Sequence, residues 1–136
     1  MLDAILERTD DRIVAIKRVS SAEEYLQDHF PGFPVLPGVL MVEALAEAGR
    51  QLLAPRLGPV AAELALGQAR AIKFGHFLRP GWTLRAVVSL RSEAEGTFTL
   101  DGRGLALAPG GVAEEAPVAV SGRLTLRPRR EAPAAE

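Results

Sequence analysis

The spacing of apolar residues changes along this 136-residue chain and predicts strands on either side of one helix. Near the start, DRIVAIKRV at 11–19 is rich in β-branched residues and predicts a strand. Residues 38–53, GVLMVEALAEAGRQLL, are strong helix formers, so they predict one long helix that begins after Pro37 and is ended by Pro55. Partial alternation with a period of two predicts four further strands, at 62–74, 82–91, 96–108 and 117–127.

Short turns join the later strands, with Pro-Gly or Glu-Gly pairs at 80–81, 95–96 and 109–111. A strand, a helix and a run of strands predict an α+β fold, with an antiparallel sheet packed around the helix. The helix carries small residues that let a sheet approach it closely, namely Ala44, Ala46, Ala48 and Gly49. We expect one domain over 1–127 and a disordered, charged tail over 128–136.

Composition excludes several classes of function. There is no cysteine, which removes disulfides, thiolate chemistry and cysteine-based zinc sites, and with two histidines we expect no structural metal. The net charge of -1 lacks the basic excess of a nucleic-acid binder. No apolar run approaches the ~20 residues that span a bilayer, and no basic leader precedes a cleavage site, so we expect a cytoplasmic protein without a membrane partner.

One loop concentrates the candidate chemistry, DHFPGFPVLPG at 28–38. Its prolines fix φ and its glycines permit close turns, which predicts a rigid loop that brings His29 to the start of the helix. There the unpaired amides of Gly38 and Val39, together with the helix dipole, favour a developing negative oxygen.

The helix also carries a polar stripe, which includes Glu43 and Glu47 one turn apart and then Arg50. By spacing alone such a stripe is more often an ordinary solvated helix face. Combined with His29 and the helix end, however, a carboxylate completes the set of groups needed to abstract a proton next to a carbonyl.

The segment HFPGFPVLPGVLMVEALAE resembles the signature of the 3-hydroxyacyl-[acyl-carrier-protein] dehydratases, the FabZ and FabA group, which have the hotdog fold. The spacing from His29 to Glu43 and the Pro37-Gly38 pair match that signature. LDAILE at 2–7 and KFGHFLRPG at 73–81 extend the similarity over most of the chain. The resemblance implies an antiparallel sheet wrapped around one long central helix.

The resemblance also implies an activity, the reversible dehydration of 3-hydroxyacyl thioesters to trans-2-enoyl thioesters in fatty-acid synthesis. His29 would act as general base and acid at the α-carbon, and Glu43 would help to protonate the departing β-hydroxyl. The Gly38 amide, with Val39 beside it, would hold the thioester carbonyl. The surrounding site would be shaped by Phe30, Pro31, Gly32, Pro37 and Glu47.

No metal or organic cofactor is implied, because the acyl chain arrives on the phosphopantetheine of acyl carrier protein. Candidate arginines for receiving that acidic partner are Arg79, Arg123 and Arg127. The resemblance further implies a homodimer, or a hexamer built as a trimer of dimers, in which His29 of one protomer faces Glu43 of the other.

Two departures from the family pattern leave alternatives open. Glu47 stands where a glutamine is usual, and its charge would repel that of Glu43 unless Arg50 neutralises it. Trp82 replaces an acidic residue and is expected in the core, while His76 is expected at a strand end on the surface. The alternatives are an acyl thioesterase, or a non-catalytic hotdog subunit that binds acyl carrier protein or a dehydratase partner.

Overall fold

The computed structural model describes residues 2–20 and 35–129, which form one antiparallel sheet and one long helix. The six strands lie in the order β1-β2-β4-β5-β6-β3, and β1 and β3 are the two edges. Two 3-10 helices, Gly58–Glu63 and Ala113–Glu115, connect elements. The main elements are β1 (Ala4–Arg8), β2 (Arg12–Arg18), α1 (Gly38–Leu57), β3 (Ala65–Phe74), β4 (Thr83–Ala94), β5 (Thr97–Leu107) and β6 (Val118–Arg127).

The helix α1 packs against the inner face of the sheet through its small residues. Ala44, Ala46 and Ala48 are completely buried. A Cβ added to Gly49 would lie 3.1 Å from a methyl group of Leu126 on β6, so the helix backbone lies directly against the sheet there. The predicted α+β arrangement, with the sheet around one central helix, is therefore confirmed.

The predicted end of the helix at Pro55 is wrong, because α1 continues to Leu57 with Pro55 inside it. Proline has no N–H to donate to the carbonyl four residues earlier, which here belongs to Gln51. The structure supplies another donor, since the Arg8 guanidinium on β1 donates to the Gln51 carbonyl oxygen at 3.2 Å. Leu57 is the last helical residue. Gly58 follows it with a φ of 68°, a conformation that glycine adopts readily.

The strands after the helix are confirmed, whereas β1 was missed by the sequence interpretation. Each predicted later strand overlaps an observed one, and the glycines of the predicted turns, Gly81, Gly96 and Gly110, all have positive φ. β1 lies antiparallel to β2 at the edge of the sheet. Its sequence, AILER, has no alternation of apolar and polar residues that would predict a strand, and four of its five residues are exposed.

Several predictions concern residues outside the described ranges. The placement of His29, Phe30, Pro31 and Gly32 belongs to this group, as does most of the tail predicted to be disordered. Within the described ranges, no helix is long and apolar enough to cross a membrane. The same ranges hold no group of three or more acidic or histidine side chains arranged to bind a metal ion.

The packing of α1 predicts the cost of truncating its central leucine. Leu45 is fully buried and lies over Gly102 of β5, so Leu45→Ala should lower the free energy of unfolding by about 3 kcal/mol. Leu6→Ala is a matched control, since Leu6 is 47% exposed on β1, and it should cost less than about 1 kcal/mol. Urea denaturation at equal protein concentration measures both values. Equal costs would show that α1 is not the centre of the core.

Candidate active site

The N-terminus of α1 presents two backbone donors that have no partner among the described residues. Pro37 precedes the helix in an extended conformation and its carbonyl accepts hydrogen bonds from the amides of Leu40 and Met41, at 3.0 and 3.2 Å. The amides of Gly38 and Val39 make no hydrogen bond within the described residues, and Val39 is 73% exposed. These donors, at the positive end of the helix dipole, are suited to holding an anionic oxygen.

An apolar cleft of about 400 Å³ opens beside this helix end. One wall is the start of α1. The other is the end of β3 and the segment that follows it, which carry the exposed rings of Phe74 and Phe77. The Phe74 ring packs against Gly38 so closely that an added Cβ would lie 2.8 Å from it. The cleft is lined by Val35, Leu36, Pro37, Gly38, Met41, Phe74, Gly75, His76 and Phe77.

The two helix glutamates are joined by one arginine. A terminal nitrogen of Arg50 donates to Glu43 Oε1 at 2.8 Å and to Glu47 Oε2 at 3.0 Å. The Nε of the same guanidinium donates to the Leu64 carbonyl at 2.8 Å, and the Arg50 side chain is only 12% exposed. Gln51 also approaches Glu47, with its Nε2 3.4 Å from Oε1. Arg50 therefore fixes Glu43 and Glu47 relative to each other.

The charge of Arg50 offsets the repulsion that the second carboxylate, Glu47, would exert on Glu43. Burial by itself would lower the pKa of Arg50, but the hydrogen bonds and negative charges of Glu43 and Glu47 raise it above its ordinary value. The guanidinium is accordingly always charged and lies within hydrogen-bonding distance of both carboxylates. The sequence left open whether Arg50 neutralises Glu47, and the structure shows Arg50 positioned to do so.

The glutamates and the cleft lie on different sides of α1. At 3.6 residues per turn, Glu43 projects about 140° away from Gly38 around the helix axis. Gly38 and Met41 line the apolar cleft, whereas the Glu43 side chain lies toward Arg50 and is 42% exposed. The described part of one chain therefore does not bring Glu43 into its own helix-end cleft.

The remaining predicted residues occupy several places. Trp82 packs partly buried against the core, as expected, and its ring stacks on that of His76 with centroids 5.5 Å apart. His76 is exposed just beyond the end of β3, also as expected. Arg79 follows the cleft segment, whereas Arg123 donates from β6 to Asp101 at 3.3 Å. The third candidate arginine, Arg127, ends β6.

The sequence interpretation missed the aromatic wall of the cleft. Phe74 and Phe77 flank Gly75 and His76 in a segment that was noticed only for its similarity to the family. A usable signal was present, because Phe74 ends a strand pattern and Phe77 follows three residues later, before a Pro-Gly turn.

Comparison with known proteins agrees with this architecture. A family model described as ApeI-like, ApeI dehydratase, matches residues 6–110. The 3-hydroxyacyl-[acyl-carrier-protein] dehydratase FabZ of Thermotoga neapolitana is 36% identical over 102 residues, which cover 75% of this chain and 72% of that protein.

Solved structures show the same fold at lower identity. The dehydratase heterocomplex ApeI:P from Xenorhabdus doucetiae contains a chain that superposes with a TM-score of 0.65 at 19% identity, covering 93% of this chain and 96% of that one. The Thermus thermophilus protein TTHA0967, a thioesterase superfamily member, gives 0.64 at 16% identity, covering 85% and 79%. With one helix packed on a six-stranded antiparallel sheet, and with most of its length matched in sequence, the chain belongs to the ApeI-like family of FabZ-like hotdog dehydratases.

Proposed function

We propose that this protein catalyses the reversible dehydration of 3-hydroxyacyl thioesters to trans-2-enoyl thioesters, with the acyl group carried on acyl carrier protein in fatty-acid synthesis. The observation that carries the proposal is the pair of amides, Gly38 and Val39, that have no partner among the described residues and lie at the mouth of an apolar cleft. As the reaction proceeds, the oxygen of a thioester carbonyl bound there would gain negative charge, which the two amides and the helix dipole would stabilise. The acyl chain would lie against the apolar walls of the cleft. The FabZ relatives support the same reaction.

In this scheme the α-proton passes from carbon to the imidazole of His29. The electrons of the broken C–H bond delocalise onto the thioester oxygen, which accepts hydrogen bonds from the Gly38 amide. The C–O bond at the β-carbon then breaks with its electron pair going to the oxygen. The proton that His29 took from the α-carbon passes through the Glu43 carboxyl group to this oxygen, which leaves as water. Losing one oxyanion donor typically raises such a barrier by ~3 kcal/mol. The steps use no metal or organic cofactor.

The site would be shared between two protomers, because the two sides of α1 point apart. β3 is a ten-residue edge strand whose central residues are exposed, and within the described chain it pairs only with β6. A long unpaired edge favours pairing with a second copy. Such a homodimer, or a hexamer of three dimers, would let the His29 loop and cleft of one chain meet Glu43 of the other.

Acyl carrier protein would approach from the side of the cleft. Arg79 lies two residues after Phe77, a lining residue, and is exposed, so it is the best placed of the candidate arginines. Arg123 is less suited to this role, because it lies on the outer face of the sheet beside Asp101. The cytoplasm, where fatty-acid synthesis draws on soluble carrier proteins, is the proposed location.

A thioester assay tests the proposed activity. With 3-hydroxybutyryl and crotonyl thioesters, we expect interconversion, followed by enoyl absorbance, without release of free thiol. His29→Ala should abolish it, because the imidazole is the base that accepts the α-proton in this scheme. Thiol release would instead indicate a thioesterase, and no change in either signal would indicate a non-catalytic subunit. A His29→Ala variant with near-normal turnover would contradict the role of His29.

Mixed dimers test whether the site is shared. His29→Ala and Glu43→Gln protomers, each inactive alone, should regain roughly a quarter of wild-type activity when unfolded and refolded together. Half of randomly formed dimers are hybrids, and each hybrid has one site with both wild-type residues. Co-refolded wild type is the control. A mixture as inactive as its parents would show that His29 and Glu43 act within one chain.

The ion cluster predicts different roles for Arg50 and Glu47. Glu47→Gln leaves the 2.8 Å bond between Arg50 and Glu43 in place, so turnover should stay within about threefold of wild type. Arg50→Gln removes the group that positions Glu43, and it should lower kcat at least tenfold with a smaller change in KM. Circular dichroism confirms folding of both variants. If Arg50→Gln keeps wild-type kcat, Arg50 does not position Glu43.

A further inference from the structure

The face of the sheet that points away from α1 carries an unusual row of arginines. The strand registers place Arg12, Ser89, Asp101, Arg123 and Arg70 opposite one another across five neighbouring strands. Side chains at paired positions point to the same side of a sheet. They therefore form one polar row on the outer face.

A second row lies beside the first, with Arg103 of β5 opposite Val87 and Ser121. Together the two rows line an open cleft of about 670 Å³, a size typical of small-molecule sites. Val87 provides an apolar part of its lining, and the serines provide hydroxyl groups. The four arginines that line this outer-face cleft are Arg12, Arg70, Arg103 and Arg123.

Negative charge on this face is too small to balance the arginines. Among the described residues that line the cleft, Asp101 is the one acidic side chain, and it is hydrogen-bonded to Arg123 and to Arg91, at 3.3 and 3.1 Å. Arg70 and Arg103 form no ion pair within residues 2–20 and 35–129. Since the whole chain has a net charge of -1, an excess of positive charge on this face is balanced by acidic side chains elsewhere in the chain.

The backbone is also irregular at this cleft. β3 has a register shift between Arg70 and Lys73, and Ala71 within it has a φ of 53°, a conformation that residues other than glycine rarely adopt. Ala71 lines the outer-face cleft. A bulge redirects the side chains of its strand, and bulges are common beside binding sites. Here the bulge directly follows Arg70.

We propose that the outer-face cleft binds a small phosphorylated molecule of diphosphate or nucleotide size. Planar guanidinium groups that converge from several strands match phosphate oxygens in a bidentate manner. A second copy of this chain is a poor occupant, because two such faces would repel each other. A concave site of this volume also suits a small ligand better than the flatter surface of an acidic protein. Pairing through the β3 edge leaves the face open, since it uses backbone groups.

Isothermal titration with pyrophosphate and with ADP tests the site independently of enzymatic activity. We expect saturable binding that weakens at high salt and that falls about tenfold in Arg103→Gln, which removes one charged donor without breaking an ion pair. Arg70→Gln should give a similar loss. Arg56→Gln is the matched control: it removes the same charge from α1, where Arg56 is paired with Glu93, and should change nothing.

The two ligands distinguish the sources of the phosphate. Tighter binding of ADP identifies a nucleotide site, equal binding identifies a site for inorganic diphosphate, and both results support a phosphate site. The proposal is overturned if neither ligand binds saturably at millimolar concentration, which would leave an acidic protein as the partner of this face. It is equally overturned if Arg103→Gln and Arg70→Gln bind as wild type, or if Arg56→Gln loses as much affinity as they do.

Discussion

The close approach of α1 to the sheet is the constraint on which the rest of the structure depends. Alanines at 44, 46 and 48 and the glycine at 49 let the helix backbone approach the sheet closely, most directly at Gly49. On the sheet, Gly102 of β5 lies beneath Leu45. The leucine fills the space that a β5 side chain would otherwise occupy. A helix held this firmly cannot rotate, and the directions of all its side chains are fixed.

Because the orientation of α1 is fixed, the groups proposed to take part in the reaction lie on two different sides of the helix. One side of the helix end faces the apolar cleft with Phe74, while the glutamates project to the other side and are tied to Arg50. A reaction that needs groups from both sides requires a second chain to supply the missing ones. The exposed edge of β3 supports the same conclusion, because it offers backbone groups to a neighbouring strand.

The sequence predicted the elements whose patterns are repeated over many residues. The helix start, its small residues and the four later strands follow from local rules of periodicity and turn chemistry. The misses depend on contacts distant in the sequence. β1 is short and exposes its large apolar side chains, so only pairing with β2 reveals it. The passage of α1 through Pro55 depends on a donor from that strand.

The site was predictable to a similar extent. The available amides of Gly38 and Val39 could be predicted from the position of Pro37, which places them at the start of the helix. The bond from Arg50 to Leu64 could not be predicted, because it joins the helix to the connection before β3. No local pattern reports such a contact. The outer row of arginines was equally hidden, because its members come from separate strands and meet only through the sheet register.

The hydrogen bond between Arg8 and Gln51 has a consequence for the order of folding. β1 buries little and pairs with one strand, so it gains little stability by itself. Its additional anchor is a carbonyl 43 residues later in the chain, which becomes available as an acceptor when the helix forms around Pro55. Closing so long a loop is entropically costly, so the Arg8 bond follows the packing of α1, whereas β1 can pair with β2 across the short turn between Arg8 and Arg12. β1 is thus held along its length by β2 and at its end by the helix.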